Sequence, residues 1–301
     1  MELFKKRIII IRERALGDVI LIQPILTHFL NNGYHVTLIS EYAEIFAGRP
    51  DLTRIKKKSR IQLLLLRLYK KLPILNVRIL NLNGSYESQP ELHVIDAYEL
   101  TSEIKLEVKE LSPDWFYSGI NIVDDEKIKS KPIIYFHLQA PSQILNYRSI
   151  FGIDWKLVEE TLLNLGYDCV ELISKRENYI PILNKFVLHD VLDIFDLIKN
   201  ADLFIGLDSG PSYVANLYFV DSFIFYGSVN SKLYLDFSRF KGIIFQNHCE
   251  FAGCYHTVKG SSGAICRIVG NEGQPPCCTF DTQITIERMV NYLEMSKNKG
   301  A

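Results

Sequence analysis

Apolar and polar positions along this chain of 301 residues follow the pattern of an α/β protein. The first apolar run, 7–12, is β-branched without alternation, as in a parallel strand that is covered on both faces. A short loop leads to 18–32, where apolar residues recur at helical spacing and predict one helix. A second strand is predicted at 35–40. The order strand, loop, helix, strand is typical of the start of a parallel α/β domain.

The same order begins again after a lysine-rich connector at 127–131. Further strands are predicted at 77–83, 132–138, 168–174, 202–207 and 221–226, and further helices at 94–104, 155–165, 190–199, 210–219 and 284–295. We therefore expect an N-terminal Rossmann-like domain at 1–130 and a C-terminal Rossmann-like domain at 131–283. A final helix and tail would occupy 284–301.

Composition and charge limit the possible functions. The chain is 48% hydrophobic with a formal net charge of −1, so it can bury a core and has no general attraction for nucleic acid or membranes. No apolar stretch approaches the ~20 residues that a membrane span needs, which predicts a cytoplasmic protein. The segment 54–71 is a local exception, with eight basic residues and no acid. It predicts either a solvated amphipathic helix or contact with an anionic acceptor, lipid surface or DNA backbone.

A first candidate site follows the first predicted strand, where Arg14-Ala15-Leu16-Gly17-Asp18 leads into a helix. The carboxylate of Asp18 would lie at the carboxyl edge of a parallel sheet, where open α/β sheets bind ligands. Asp18 could also be only the cap of the helix. The motif is not the G-x-G-x-x-G fingerprint, which disfavours dinucleotide binding of that type.

A second candidate site lies where a predicted strand ends at Leu207 and a helix begins near Pro211. Free backbone amides and the helix dipole at such a junction bind anions. Gly210 has no Cβ, so a phosphate could approach the backbone closely. As a bare pattern, the same residues are equally typical of a helix cap.

Both motifs, in this order, resemble the signatures of the ADP-heptose–lipopolysaccharide heptosyltransferase family. They read RALGDVILIQPIL at 14–26 and ADLFIGLDSGPSYVANL at 201–217. The segments 46–55, 81–98 and 147–170 resemble the stretches between them. The resemblance implies a GT-B fold, in which two Rossmann-like domains face a cleft and a C-terminal helix crosses both. It also implies an inverting glycosyltransferase that uses a nucleotide-sugar, with ADP favoured as the nucleotide.

The resemblance assigns roles to individual residues. Asp18 matches the general base, which takes a proton from the acceptor hydroxyl. The diphosphate would be bound without a catalytic metal. Its expected contacts are Ser142, Arg148, Asp208, Ser209, Gly210, Pro211, Ser212 and Tyr213. Arg148 falls near the family's phosphate-binding lysine, and Tyr213 stands where the family usually has histidine.

The acceptor is less clearly indicated. Arg14, Glu87, His93 and Asp96 are candidates for binding it, although a histidine beside a helix is more often structural. The acceptor hydroxyl could belong to a protein or a glycan. An alternative is a phage-type enzyme that glycosylates hydroxymethylated DNA, and another is a catalytically silent scaffold used for assembly. Peripheral contact with an anionic surface and an oligomeric state are both compatible with the sequence.

Five of the six cysteines lie between residues 249 and 278. In a reducing compartment such a cluster is more typical of a metal site than of disulfides. Cys249, Cys254 and Cys266 with Cys278, or with Cys277 in its place, would form a closed tetrahedral site. The bacterial autotransporter heptosyltransferases have a similar finger that holds iron, whereas zinc is the commoner chemical choice. We therefore expect structural zinc or iron.

Overall fold

The computed structural model describes most of the chain. The described residues are 6–56, 77–117, 131–139, 149–175, 179–235, 238–251, 253–254, 266–270 and 273–299, with side chains to 296. Ser142, Arg148 and most of the basic segment 54–71 lie outside them. The chain divides into two compact units, Met1–Ser118 and Gly119–Ala301.

The N-terminal unit contains a sheet of four parallel strands in the order β3-β2-β1-β4. Its strands are β1 (Arg7–Ile11), β2 (His35–Ile39), β3 (Thr53–Ile55) and β4 (Val77–Asn81), and its helices are α1 (Leu16–Ile20), α2 (Gln23–Asn31) and α3 (Val94–Thr101). Strand β1 pairs on both sides, and Ile8 and Ile10 are fully buried. The unbroken apolar run of β1 is therefore explained by its central position.

The prediction of one helix over 18–32 is wrong, because α1 ends at Ile20 and α2 begins at Gln23. Pro24 lies in the first turn of α2 and has no N–H to donate to the carbonyl of Ile20. A proline is tolerated in a first turn, where that amide would be unpaired in any case. The apolar spacing continues across the break, so periodicity alone does not reveal it.

The C-terminal unit contains a sheet of six parallel strands in the order β10-β9-β8-β5-β6-β7. Its strands are β5 (Ile133–His137), β6 (Asp168–Ser174), β7 (Phe186–His189), β8 (Leu203–Leu207), β9 (Ser222–Tyr226) and β10 (Gly242–Gln246). Its helices are α4 (Trp155–Asn164), α5 (Val191–Lys199), α6 (Gly210–Leu217) and α7 (Thr282–Lys299). The two edge strands, β7 and β10, were not predicted from the sequence.

Aromatic side chains form much of the core of this unit. The ring of Phe225 stacks on Phe245 at 4.6 Å between centroids and meets the edge of Trp155 at 5.4 Å. Helix α7 packs on the same core, because Tyr292 contacts Phe223 at 5.4 Å and Arg288 lies over the ring of Phe245 at 4.4 Å. Within the described part of the chain, no helix has both the length and the apolarity that crossing a bilayer requires.

Candidate sites at the carboxyl edges of the two sheets

Asp18 lies at the carboxyl edge of the N-terminal sheet, as predicted, but it does not cap a helix. The cap position of α1 is Ala15, which makes no side-chain cap bond, and Asp18 is the third residue of the helix. Ala15 has a φ of +63°, a left-handed conformation that is uncommon for a residue with a side chain. The capping interpretation of Asp18 is therefore wrong, and its carboxylate is directed elsewhere.

The side chains of Asp18 and Arg12 are each 7% exposed and form an ion pair. The hydroxyl of Tyr86 donates to Oδ2 of Asp18 at 3.4 Å, and the guanidinium of Arg12 lies over the Tyr86 ring at 5.4 Å. Tyr98, which is fully buried, donates to the backbone carbonyl of Asp18 at 3.4 Å. These partners offset the cost of burying a charged carboxylate and fix its orientation.

The electrostatic effects in this cluster are consistent with one another. Burial acts to lower the pKa of the Arg12 guanidinium, but Asp18, with smaller contributions from Tyr98, Tyr86 and Glu87, raises that pKa above its ordinary value. Burial raises the pKa of the Tyr98 hydroxyl well above its ordinary value, and the charge of Asp18 adds to this effect. Arg12 is therefore charged and Tyr98 neutral at physiological pH.

The four residues expected at an acceptor site have different surroundings. Glu87 is exposed but close enough to Arg12 to raise the pKa of its guanidinium. Arg14 is largely exposed and pairs with Glu41 at 3.3 Å. His93 caps α3, because its Nδ1 accepts from the backbone amide of Ile95 at 3.2 Å, and the Asp96 carboxylate pairs with Lys109 at 2.6 Å. His93 therefore has a structural role as a helix cap, which is the alternative that the sequence suggested for it.

The second candidate site lies at the carboxyl edge of the C-terminal sheet. Strand β8 is buried along its whole length, and Ser209 occupies the cap position of α6 in an extended conformation, with a proline in the first turn. The hydroxyl of Ser212 donates to the carbonyl of Leu207 at 2.5 Å, and Tyr213 donates to Oδ1 of Asp208 at 3.5 Å. The loop that the sequence predicted to bind phosphate is thus held by its own side chains at the start of a helix.

A buried histidine adjoins this loop and a second one lies beside it, and sequence reasoning missed both. His137 ends β5 and His189 ends β7, and their rings are 6.3 Å apart. Nδ1 of His137 is 3.0 Å from the hydroxyl oxygen of Ser209. Burial, with a further effect of His189, lowers the pKa of His137 to about 3, and burial also lowers the pKa of His189. Both imidazoles are therefore neutral at pH 7.

The five clustered cysteines interact with one another. Cys277 and Cys278 are buried in a short 3-10 helix, with their sulfur atoms 3.7 Å apart, and the thiol of Cys277 also bonds to Cys249. Burial raises the pKa of the Cys254 thiol, and the neighbouring Cys277, Cys266 and Cys249 add to this effect. Among the residues that the structure describes, however, no three His, Cys, Asp or Glu side chains are arranged to hold a metal ion.

No protein-family model matches the sequence, and no curated protein does. Solved structures do match. The iron-containing dodecameric glycosyltransferase TibC from enterotoxigenic E. coli H10407 is similar with a TM-score of 0.70 at 15% identity, over 97% of this chain and 77% of that one. A glycosyl transferase of family 9 from Veillonella parvula DSM 2008 is similar with a TM-score of 0.64 at 16% identity, over 98% of this chain and 99% of that one. The E. coli ADP-heptose lps heptosyltransferase II is similar with a TM-score of 0.59 at 11% identity, over 97% of this chain and 99% of that one.

The chain has the GT-B fold. The prediction of fold class from the sequence is thereby confirmed, with both parallel sheets in place. Asp18 and the loop 208–213 of this chain each lie beyond the carboxyl ends of parallel strands, where open α/β sheets bind ligands. Fold alone does not determine function, so the chemistry has to be argued from these two sites.

Proposed function

We propose that this chain is an inverting glycosyltransferase that moves a sugar, heptose or another, from a nucleotide-sugar to an acceptor hydroxyl. The observation that carries the proposal is the buried Arg12–Asp18 pair at the carboxyl edge of the N-terminal sheet, in a chain with the GT-B fold. A carboxylate buried at such a cost, in a position where ligands bind, is a candidate for catalysis.

In this proposal Asp18 acts as the general base. It takes the proton of the acceptor hydroxyl while that oxygen attacks the anomeric carbon of the donor. The bond from the anomeric carbon to the diphosphate breaks in the same step, so the configuration at that carbon inverts. The nucleoside diphosphate leaves with the electron pair, and the proton remains on Asp18. Arg12 and Tyr86 hold the carboxylate in place.

The donor would bind at the C-terminal sheet. The amides and dipole at the start of α6 suit a diphosphate, and the proposed contacts are the loop residues 208–213. Ser142 and Arg148 would add a hydroxyl and a guanidinium, which can grip two phosphate oxygens. An ADP-linked donor is favoured, because a second TibC structure, similar with a TM-score of 0.67, is a complex with ADP-D-beta-D-heptose.

The acceptor would be a protein or a glycan, with Arg14, Glu87, His93 and Asp96 as proposed contacts. Of these, Glu87 has the strongest support, because it interacts with Arg12. A hydroxymethylated DNA acceptor rests only on the basic segment 54–71, and the net charge of −1 disfavours it. A catalytically silent scaffold is disfavoured by the position of Asp18, whose carboxylate lies at the edge where open α/β sheets bind ligands.

We further propose that the cysteine cluster holds a structural metal, either zinc or iron. Cys249, Cys254 and Cys266 would provide three thiolates, and Cys277 or Cys278 the fourth. The mutual interactions of these thiols support the proposal. A metal there would stabilise the loops of the C-terminal unit and would take no part in transfer. TibC, which is described as iron-containing and dodecameric, makes iron and oligomerisation worth testing.

A thermal screen is the first test of the proposed function. The nucleoside diphosphates ADP, UDP and GDP and their sugars would be compared for stabilisation of the full chain. Stabilisation by one set would support a donor site and name its base. If no nucleotide stabilises the chain, the proposal of a transferase fails and the scaffold alternative gains support.

The Asp18→Asn variant then tests the base. The amide cannot accept a proton, so sugar transfer should be lost while donor affinity stays near that of the unaltered chain. Loss of donor binding in this variant would contradict the proposed role. Retained transfer would exclude Asp18 as the base.

A further inference from the structure

The hydroxyl of Ser209 has two contacts at the start of α6. Its oxygen lies 3.2 Å from the carbonyl oxygen of Leu207 and 3.0 Å from Nδ1 of His137. A serine hydroxyl has one proton to donate, and a carbonyl oxygen can only accept. If the proton points to Leu207, the contact with His137 requires a proton on Nδ1. The imidazole then donates and the serine oxygen accepts.

The carbonyl of Leu207 does not depend on Ser209. It also accepts the hydroxyl of Ser212 at 2.5 Å, and Ser212 is completely buried. When the Ser209 proton turns away, this second bond remains and the buried carbonyl keeps a partner. The rotation therefore avoids the cost of an unsatisfied buried acceptor. Of the two hydroxyls, the longer and more exposed bond of Ser209 is the one that can turn to an incoming anion.

His137 can support such a rotation because it is neutral. A neutral imidazole has one N–H donor and one acceptor nitrogen, whereas an imidazolium has two donors. Burial, together with the neighbouring His189, holds the pKa of His137 at about 3. The ring therefore adds a directed donor behind Ser209 without adding a charge, and a bond received by a hydroxyl strengthens the bond that it donates.

We propose that His137 is a positioning residue for the donor diphosphate: it carries its proton on Nδ1, donates to the Ser209 hydroxyl, and so directs the serine proton to a phosphate oxygen. This inference rests on the proposed function, because it requires that the loop 208–213 bind a nucleoside diphosphate. It adds a residue from β5 that contacts the donor only through Ser209.

The tautomer of His137 can be measured without any ligand. Nitrogen-15 NMR of histidine-labelled full chain distinguishes a protonated Nδ1 from a protonated Nε2, and the missing signal of His137→Asn assigns the ring. The inference predicts the Nδ1–H form. An Nε2–H form, with Ser209 donating to Nδ1, would overturn it whether or not the chain is a transferase.

Affinity for ADP, UDP and GDP gives the second measurement, by calorimetry on the full chain. His137→Leu removes the donor and should weaken binding of the preferred diphosphate about tenfold, the scale of one hydrogen bond. His137→Asn places an amide N–H near the position of Nδ1 and should restore affinity to within about twofold. Ser209→Ala should weaken binding as well, and adding His137→Leu to it should cost nothing further, because the two side chains act in series.

Matched controls separate this role from damage to the core. His189→Leu changes an equally buried imidazole that has no bond to Ser209, so it should leave the affinity for the preferred diphosphate unchanged. An equal loss in His189→Leu, or additive losses in the His137→Leu, Ser209→Ala double variant, would overturn the inference. If Ser209→Ala has no effect although the unaltered chain binds a diphosphate, only this inference fails. If the unaltered chain binds none of the three, the proposed function fails with it.

Discussion

The two neutral, buried histidines of the C-terminal unit should make its stability depend on pH. An unfolded histidine titrates near ~6.5, whereas burial holds the pKa of His137 at about 3 in the folded unit. As the pH falls through ~6.5, the unfolded chain binds a proton that the folded chain does not. The stabilisation is thus complete above ~6.5 and is lost progressively as the pH falls toward 3. His189, whose pKa is also lowered by burial, contributes in the same direction.

The size of the effect follows from the unfolded and folded pKa values of His137. Between pH 7.5 and pH 5, the unfolded imidazole becomes almost fully protonated and the folded His137 stays neutral. Linkage then predicts that His137 alone reduces the free energy of unfolding by about 2 kcal/mol over this range. Most carboxylates titrate below pH 5, so the histidine effect is well separated from acid unfolding.

The two tryptophans allow the measurement to be made on one unit. Trp155 packs against Phe136 at 6.4 Å and Phe225 at 5.4 Å in the C-terminal core, and a Trp115→Phe background removes the other tryptophan. Urea unfolding at the two pH values would be compared for this chain and for its His137→Asn variant. The loss of stability on acidification should be about 2 kcal/mol smaller in the variant.

A core substitution provides the control. Val158→Ala, at a fully buried position of α4, should lower the free energy of unfolding equally at both pH values, because no titrating group changes. If His137→Asn shows the same pH dependence as the unaltered chain, then His137 is not held neutral by burial. The inference that the His137 ring is neutral and has a single N–H donor would then fail as well.

Three further predictions concern the other sites. Arg12→Met should destabilise the N-terminal unit by roughly 3–5 kcal/mol, because it leaves a buried carboxylate unpaired. Urea unfolding should show much of this loss recovered in the Arg12→Met, Asp18→Asn double variant, and no recovery would argue against a charge effect. Arg148→Ala should weaken nucleotide binding by about 1–3 kcal/mol in calorimetry, and unchanged affinity would remove Arg148 from the donor site. A chelator should lower the melting temperature if the cysteines hold a metal, and elemental analysis that finds none would refute the metal site.

The sequence predicted the strands at the centre of each sheet well. Strands β1 and β8 were predicted to within one residue, because strands buried on both faces have unbroken apolar interiors. Strand β6 was predicted at its observed bounds although Glu171 interrupts its apolar run. Strand β3 has only three residues, and β7 exposes three of its four residues at a sheet edge. Neither has a periodicity that differs from that of a loop. Edge strands are defined by their neighbours, so local pattern could not reveal them.

The sequence predicted the position of each site but not the partners of its residues. Asp18 and Ser209 follow apolar strands, so the fold class alone places them at a carboxyl edge. Their partners come from remote positions: Tyr86 is 68 residues from Asp18, and His137 is 72 from Ser209. Such contacts depend on which strands pair, and no local pattern encodes that. Arg12 was recognisable only as a charge at the end of an apolar run.

Burial alone does not distinguish Asp18 from other carboxylates, but its position at the carboxyl edge of a sheet does. Glu171 is 1% exposed, and its Oε2 accepts the backbone amides of Ile182 at 2.6 Å and Leu183 at 2.9 Å. Glu159 is similarly buried and accepts two bonds from Asn184. Both carboxylates anchor the connection between β6 and β7, because the backbone amides that donate to them belong to that connection. Asp18 pairs with Arg12 and Tyr86 at the carboxyl edge of a parallel sheet, where open α/β sheets bind ligands. Of these three buried carboxylates, we therefore propose only Asp18 as the base.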